Sequence, residues 1–244
     1  MDNPLFMKIC EEVIGQEKGL NGIGTYGEKT LHSVLKNYYS PDFTNQEVKL
    51  GSFVADIYTG NEIIEIQTRN FNKLRRKLDT FLKLAPVTIV YPIPYIKWLR
   101  WVNPQTGEIS QPRKSPKLGA SYSIFPELYR IKEYLLHPNL RLKIVLMNLE
   151  EYRFLDGWSQ DKKKGSSRCD RFPTELVEEI RIDHCSDYGQ LIPESLSYEF
   201  TSKDYKKASR LSLGNSQTAL NILYYVGAVD RVGKKGNSYL YIKR

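Results

Sequence analysis

Cysteine is scarce in this chain of 244 residues: Cys10, Cys169 and Cys185 are its only three. They are too few and too scattered for a disulfide framework, and no CxxC pair supports a closed zinc site, so Cys169 and the His184-Cys185 pair read as structural. His32 and His137 stand without a base or nucleophile in view, which argues against Ser-His-Asp chemistry. No run approaches the roughly 18 consecutive apolar residues of a membrane span, so no membrane partner is expected. The N-terminus, MDNPLFMKICEEV, carries acidic residues and lacks the cleavable apolar segment of a secretory signal. TYGEK (25–29) has one glycine and no phosphate-loop lysine-serine pattern. No internal repeat is visible. These absences point to an intracellular, cytoplasmic protein.

What is present is a sizeable core and an uneven charge. Hydrophobic residues make up 41% and charged residues 26%, so one large or two smaller domains are expected. The net charge of +8 is concentrated at one end. From Lys203 to Arg244, nine basic side chains face two acidic ones, a net of +7. Such a field suits a polyanionic partner, most often nucleic acid.

Periodicity divides the chain. Residues 26–38 (YGEKTLHSVLKNY) place Leu31, Val34, Leu35 and Tyr38 at helical spacing. Residues 46–50 read as a short strand, Gly51-Ser52 as a turn, and 53–58 with 62–68 as a hairpin. Phe71 to Leu84 predicts a helix with Phe71, Leu74, Leu78, Phe81 and Leu82 inward and Lys73, Arg75, Arg76 and Lys77 on its other sides. A buried strand, VTIVYPI (87–93), should be stopped by Pro92 and Pro94. Residues 97–122 read as a long hairpin or loop in which Trp98 and Trp101 pack. A helix is expected over 125–136, a strand within 142–155, a basic loop over 161–171, and a short helix followed by a strand over 173–184.

The stretch FVADIYTGNEIIEIQT (53–68) is the most informative. Side chains alternate along a strand, so Glu65 and Gln67 share one face while Ile64 and Ile66 take the other. A hairpin can bring Asp56 beside that pair. Antiparallel sheets commonly keep one wet face, where such acids are simply solvated. Two carboxylates converging on an apolar sheet instead repel unless a cation sits between them, and a divalent ion with oxygen ligands is the usual solution.

The order helix, three strands, helix, strand over 26–92, with Asp56, Glu65 and the residue two beyond, resembles the PD-(D/E)XK nuclease superfamily. The resemblance implies an α/β fold with a restriction-endonuclease-like mixed sheet flanked by helices, built on core 26–92 and extending over 1–196. It implies a metal-dependent DNA endonuclease in which Asp56, Glu65 and the Ile66 carbonyl hold Mg²⁺ or Mn²⁺. Glu28, on the core-facing side of its helix, would bind a second metal or orient water. The family's usual lysine is here Gln67, which can orient water but brings no charge; Lys49 or Lys73 would be the substitutes. Lys73, Arg75 and Arg76 would hold DNA phosphates. The alternative is a catalytically inactive nuclease-fold regulator that only binds DNA.

Residues 197–244 resemble a winged helix DNA-binding domain. Ser202 precedes a candidate capped helix, LSLGN makes a turn, and a second helix over 216–229 has Ala219, Leu220, Leu223 and Tyr224 inward. A basic hairpin closes the chain. The resemblance implies that Asn215, Ser216, Gln217 and Asn221 face base edges and that Lys234 and Lys235 contact phosphate or the minor groove. A double-strand cut needs two active sites, so a homodimer is expected.

Overall fold

Apolar residues at Phe6, Ile9, Cys10 and Val13 give the first helix one buried stripe at helical spacing. The computed structural model describes residues 2–20, 29–157 and 167–244. In chain order they form α1 (Asn3–Leu20), α2 (Lys29–Tyr39), β1 (Gln46–Leu50), β2 (Phe53–Tyr58), β3 (Ile63–Ile66), α3 (Arg75–Phe81), β4 (Val87–Val102) and β5 (Arg113–Lys114). There follow α4 (Phe125–Arg130), β6 (Leu140–Phe154), β7 (Ser167–Ile182), β8 (Glu199–Thr201), α5 (Ser202–Ser209), α6 (Leu213–Tyr225), β9 (Val229–Lys235) and β10 (Ser238–Lys243). The class is mixed α/β, with a seven-stranded sheet of order β1-β2-β3-β4-β6-β7, β5 pairing with β4, and a second sheet of order β8-β10-β9. Among the described residues no helix is long and apolar enough to cross a membrane.

The chain divides into two compact units, each assembled from three stretches. The first comprises Met1–Gln46, Ile93–Gly119 and Val145–Glu179. Here α1 packs on α2, whose Leu31, Val34 and Leu35 are buried, and the Phe6 ring meets Tyr38 edge-on at 5.3 Å. Its most unusual feature is Glu151 on β6, which is fully buried. Lys97 Nζ lies 3.2 Å from Glu151 Oε2, with Arg171 Nε at 3.3 Å and Arg168 Nε at 3.7 Å. Arg153 Nε donates to Oε1 at 2.7 Å. Four cations thus converge on one buried carboxylate.

The second unit comprises Glu47–Pro92, Ala120–Ile144 and Ile180–Arg244. All four residues of β3 are buried, and its backbone is paired on both edges, by β2 and β4. Phe71, Leu74, Leu78, Phe81 and Leu82 turn inward as expected, the segment starting as a 3-10 turn (Phe71–Leu74) before α3. Toward the C-terminus, α6 packs on α4 and α5. The α5 N-terminus is capped by Thr201 rather than Ser202: its hydroxyl accepts the Asp204 N–H, while Asp204 Oδ2 accepts the Thr201 N–H at 2.8 Å. Thr201→Ala is expected to lower stability by about 1 kcal/mol in a urea melt. Helix α6 ends in a Schellman arrangement, Ala228 N–H to Leu223 O at 2.8 Å and Gly227 N–H to Tyr224 O at 3.2 Å, with Gly227 at φ +78°.

Several local expectations are corrected. β4 does not stop at Pro92 and Pro94 but continues to Val102. Val90 is its last residue paired with β3, so neither proline interrupts that ladder. Residues 173–182, expected to begin as a helix, belong to the 16-residue strand β7. The spacing of Leu176 and Ile180 imitates a helix, and pairing with β6 overrides it. Residues 167–171 of the expected basic loop also lie in β7, and the rest of that loop up to residue 166 lies outside the described residues. The 125–136 helix is shorter, α4 ending at Arg130 before a 3-10 turn at Lys132–Tyr134.

Candidate active site

β2 and β3 pair antiparallel with Ile57 opposite Ile64 and Tyr58 opposite Ile63. One step along the same register sets Asp56 across from Glu65. Each carboxylate is held by the other strand's backbone: Ile66 N–H donates to Asp56 Oδ2 at 2.7 Å, and Asp56 N–H reaches Glu65 Oε1 at 3.4 Å. The parallel neighbour β4 fixes the other side of β3, with Glu65 opposite Ile89 and Gln67 N–H donating to Val90 O at 2.9 Å. The hairpin brings the two carboxylates together as its geometry implies, and Glu65 is only 2% exposed, so the solvated alternative does not describe it.

A buried carboxylate needs a partner. Lys77, from α3, donates to both Glu65 oxygens, at 3.1 Å to Oε1 and 2.8 Å to Oε2. Even so, burial pushes the Glu65 carboxyl up, the neighbouring Asp56 charge adds to the rise, and Lys77 opposes it only in part, leaving it at about 7. The pair is thus short of positive charge. Replacing Lys77 with methionine is expected to move the Glu65 titration midpoint higher still, which carboxyl ¹³C NMR would read directly.

Lys77 is the residue that sequence reasoning passed over. Lys49 and Lys73, the substitutes expected for the missing family lysine, are both exposed. Lys77 lies three residues after Leu74 and four before Phe81, on the flank of the buried stripe. From there its aliphatic stem can reach inward with the ammonium at its tip. That spacing was the available signal.

The remaining expected residues fall in several places. Glu28 lies outside the described residues. The Gln67 amide donates to the Arg69 carbonyl, a local turn contact rather than a bond to either carboxylate. Arg75 is paired with Glu133 and donates to Arg130 O at 3.3 Å, so it is partly committed to structure. Lys73 and Arg76 are exposed, Arg76 lying 6.0 Å over the Phe53 ring.

In the C-terminal segment, Asn215 and Gln217 near the start of α6 are exposed, as are Lys234 and Lys235. Ser216 is fully buried and donates its hydroxyl to Ser212 O at 2.9 Å, which corrects its expected place at a base edge. Asn221 accepts from Lys132 Nζ at 2.8 Å. Tyr224, expected inward, is 44% exposed. The Cys169 and His184-Cys185 reading is consistent with the geometry: Cys169 is buried, and His184 caps a 3-10 turn with Asp187. Among the described residues no group of three or more His, Cys, Asp or Glu side chains is placed to hold a metal.

A family model described as a domain of unknown function (DUF8091) matches residues 29–183, more than half of the chain and including β1 to β4. An uncharacterized protein from Treponema pallidum (strain Nichols) is 29% identical over 222 residues, covering 91% of this chain and 87% of that protein. No solved structure matches.

Proposed function

The chain belongs to the DUF8091 family, and from the site we propose that it is a metal-dependent DNA endonuclease of restriction-endonuclease-like fold, targeted by a C-terminal winged helix and acting in the cytoplasm. The observation that carries this reading is the opposed pair Asp56 and Glu65, locked by Ile66 N–H at 2.7 Å and by Lys77 at 2.8 Å. Asp56, Glu65 and the Ile66 carbonyl are hard oxygen donors. A Glu65 carboxyl raised to about 7 beside another acid fits a site that a divalent cation completes.

The chemistry that Mg²⁺ or Mn²⁺ supplies when bound is polarisation of the scissile phosphate and acidification of a bound water. The reaction is hydrolysis: a water oxygen attacks phosphorus, the bridging P–O bond breaks, and the leaving oxygen takes up a proton. Asp56 and Glu65, with the Ile66 carbonyl, would hold the cation, and they repel a phosphate unless it is present. Lys77 brings to their edge the positive charge that Gln67 lacks, where the charge on the pentacovalent phosphate grows. Lys73 and Arg76, exposed on the same helical segment, hold flanking phosphates. The order α5, α6, β9, β10, with Asn215 and Gln217 exposed on α6 and Lys234 and Lys235 on the hairpin, supports the winged helix reading. A homodimer would place two such sites on one duplex.

One observation favours a second reading. Lys77 already holds both Glu65 oxygens, as an internal cation could in a nuclease scaffold that binds DNA without cutting it. Incubating the protein with supercoiled plasmid and Mg²⁺ or Mn²⁺ separates the two. Metal-dependent nicking or linearisation supports the enzyme; a retarded but uncut plasmid under both metals supports the binder.

A further inference from the structure

The second unit contains a concavity of about 470 Å³ whose lining includes Lys132, Tyr224, Tyr225, Asp230, Arg231 and Arg244. Three of these side chains are cationic and one is acidic. Arg244 Nε pairs with Asp230 Oδ2 at 2.6 Å, which leaves a formal surplus of two positive charges. The surplus is held in a fixed arrangement. The Arg231 guanidinium lies 4.4 Å from the Tyr224 ring centre and 4.5 Å from that of Tyr239, with Tyr241 at 5.7 Å. Lys132 lies 4.5 Å over Tyr225 and donates to Asn221. Aromatic faces attract and orient cations in this way.

The Nε of Arg231 is buried and has no hydrogen-bond partner among the described residues. A buried guanidinium donor without an acceptor is costly, and the Tyr224 and Tyr239 faces beside it offset part of that cost. The carbonyls of Ile222, Leu223 and Tyr224 at the end of α6 are already taken by capping N–H groups, which mutes the negative end of that helix.

We propose that this concavity binds a terminal phosphate of a nucleic-acid strand. A phosphomonoester carries close to two negative charges at neutral pH, matching the surplus, whereas an internal phosphodiester carries one. The rings of Tyr224 and Tyr225 already have cations over them, so recognition is by charge and by the planar guanidinium fork rather than by base stacking. The volume suits a strand end or nucleotide, not a duplex. The site is separate from Asp56 and Glu65 and its occupancy does not depend on cleavage.

Fluorescence polarisation without divalent metal tests it, using single-stranded oligonucleotides that carry a 5′-phosphate, a 3′-phosphate or only hydroxyl ends, with inorganic phosphate as competitor. One phosphorylated probe is expected to bind about tenfold tighter than the hydroxyl probe. Inorganic phosphate should erase the difference, as should Arg231→Gln and, independently, Lys132→Gln, with melting temperatures near wild type. Equal binding of all three probes by the wild type would overturn the proposal, as would a preference that survives both substitutions. A site that takes inorganic phosphate but shows no preference among strand ends would also overturn it, in favour of free phosphate.

Discussion

Glu151→Gln is expected to lose on the order of 3 kcal/mol of stability at neutral pH, the largest effect of any single substitution in the first unit. The carboxylate is fully buried, and Lys97, Arg153, Arg168 and Arg171 all lie within 4 Å of it. Burial alone would raise the Glu151 carboxyl, but Lys97, Arg153 and Arg171 together hold it down at about 2. An amide of the same shape keeps the packing and removes the charge, so the four cations then face one another across a dry site. Lys97 registers the same balance: burial lowers its amine while Glu151 supports it, and the glutamine variant should lower it further.

The pH dependence follows. In the unfolded chain the Glu151 carboxyl titrates near 4.5; in the folded protein it stays ionised down to about 2. Its pairing therefore stabilises the fold fully above about pH 4.5 and is lost as the pH falls toward 2. Urea melts at pH 7 and pH 3 should show the gap between wild type and Glu151→Gln narrowing at the lower pH. A gap that widens or holds constant would rule out the electrostatic account.

The second large effect concerns the proposed reaction. Asp56→Asn and Glu65→Gln are each expected to reduce metal-dependent plasmid cleavage by at least about 10²-fold. The double variant should lose little more than either alone, because groups that act as a unit are not additive. Unfolding should not be the cause. The ionised form of Glu65 is opposed by burial and by Asp56, so a neutral glutamine relieves a repulsion as it gives up the Lys77 pair, and thermal melts should stay close to wild type. Additive losses, or cleavage that persists in both variants, would place the chemistry elsewhere.

Much of this arrangement was legible in the chain itself. The two-residue period of a strand determined that Glu65 and Gln67 share a face, and a Thr-Gly-Asn turn determined how the two strands meet, so a hairpin that brings Asp56 beside Glu65 was legible from these alone. The buried stripe from Phe71 to Leu82 was equally plain, because five apolar residues at helical spacing allow one inward face. The helical pattern from Leu31 to Tyr38 likewise sits within α2. What escaped was set by tertiary contact. The depth of Glu65 was not readable, because nothing local shows that Lys77 of α3 reaches both of its oxygens. Lys77 looked like one more surface cation because its reach depends on the position of the helix over the sheet. β7 imitated a helix through Leu176 and Ile180 until its pairing with β6 decided the matter. The α1 helix was not anticipated at all, and its apolar stripe becomes informative only once α2 is there to cover it. Ser216 looked available for base contact because its inward turn and its bond to Ser212 O depend on how α6 packs.

In the proposed function Asp56 and Glu65 together hold a divalent cation. A crystal of the full chain soaked in Mn²⁺, with data collected at the manganese absorption edge, tests this directly. The account predicts an anomalous peak between the two carboxylates, coordinated by both, with the Lys77 ammonium displaced from at least one Glu65 oxygen. A map with no peak there at saturating Mn²⁺, and Lys77 still bonded to both oxygens, would contradict it and leave the DNA-binding scaffold as the better description.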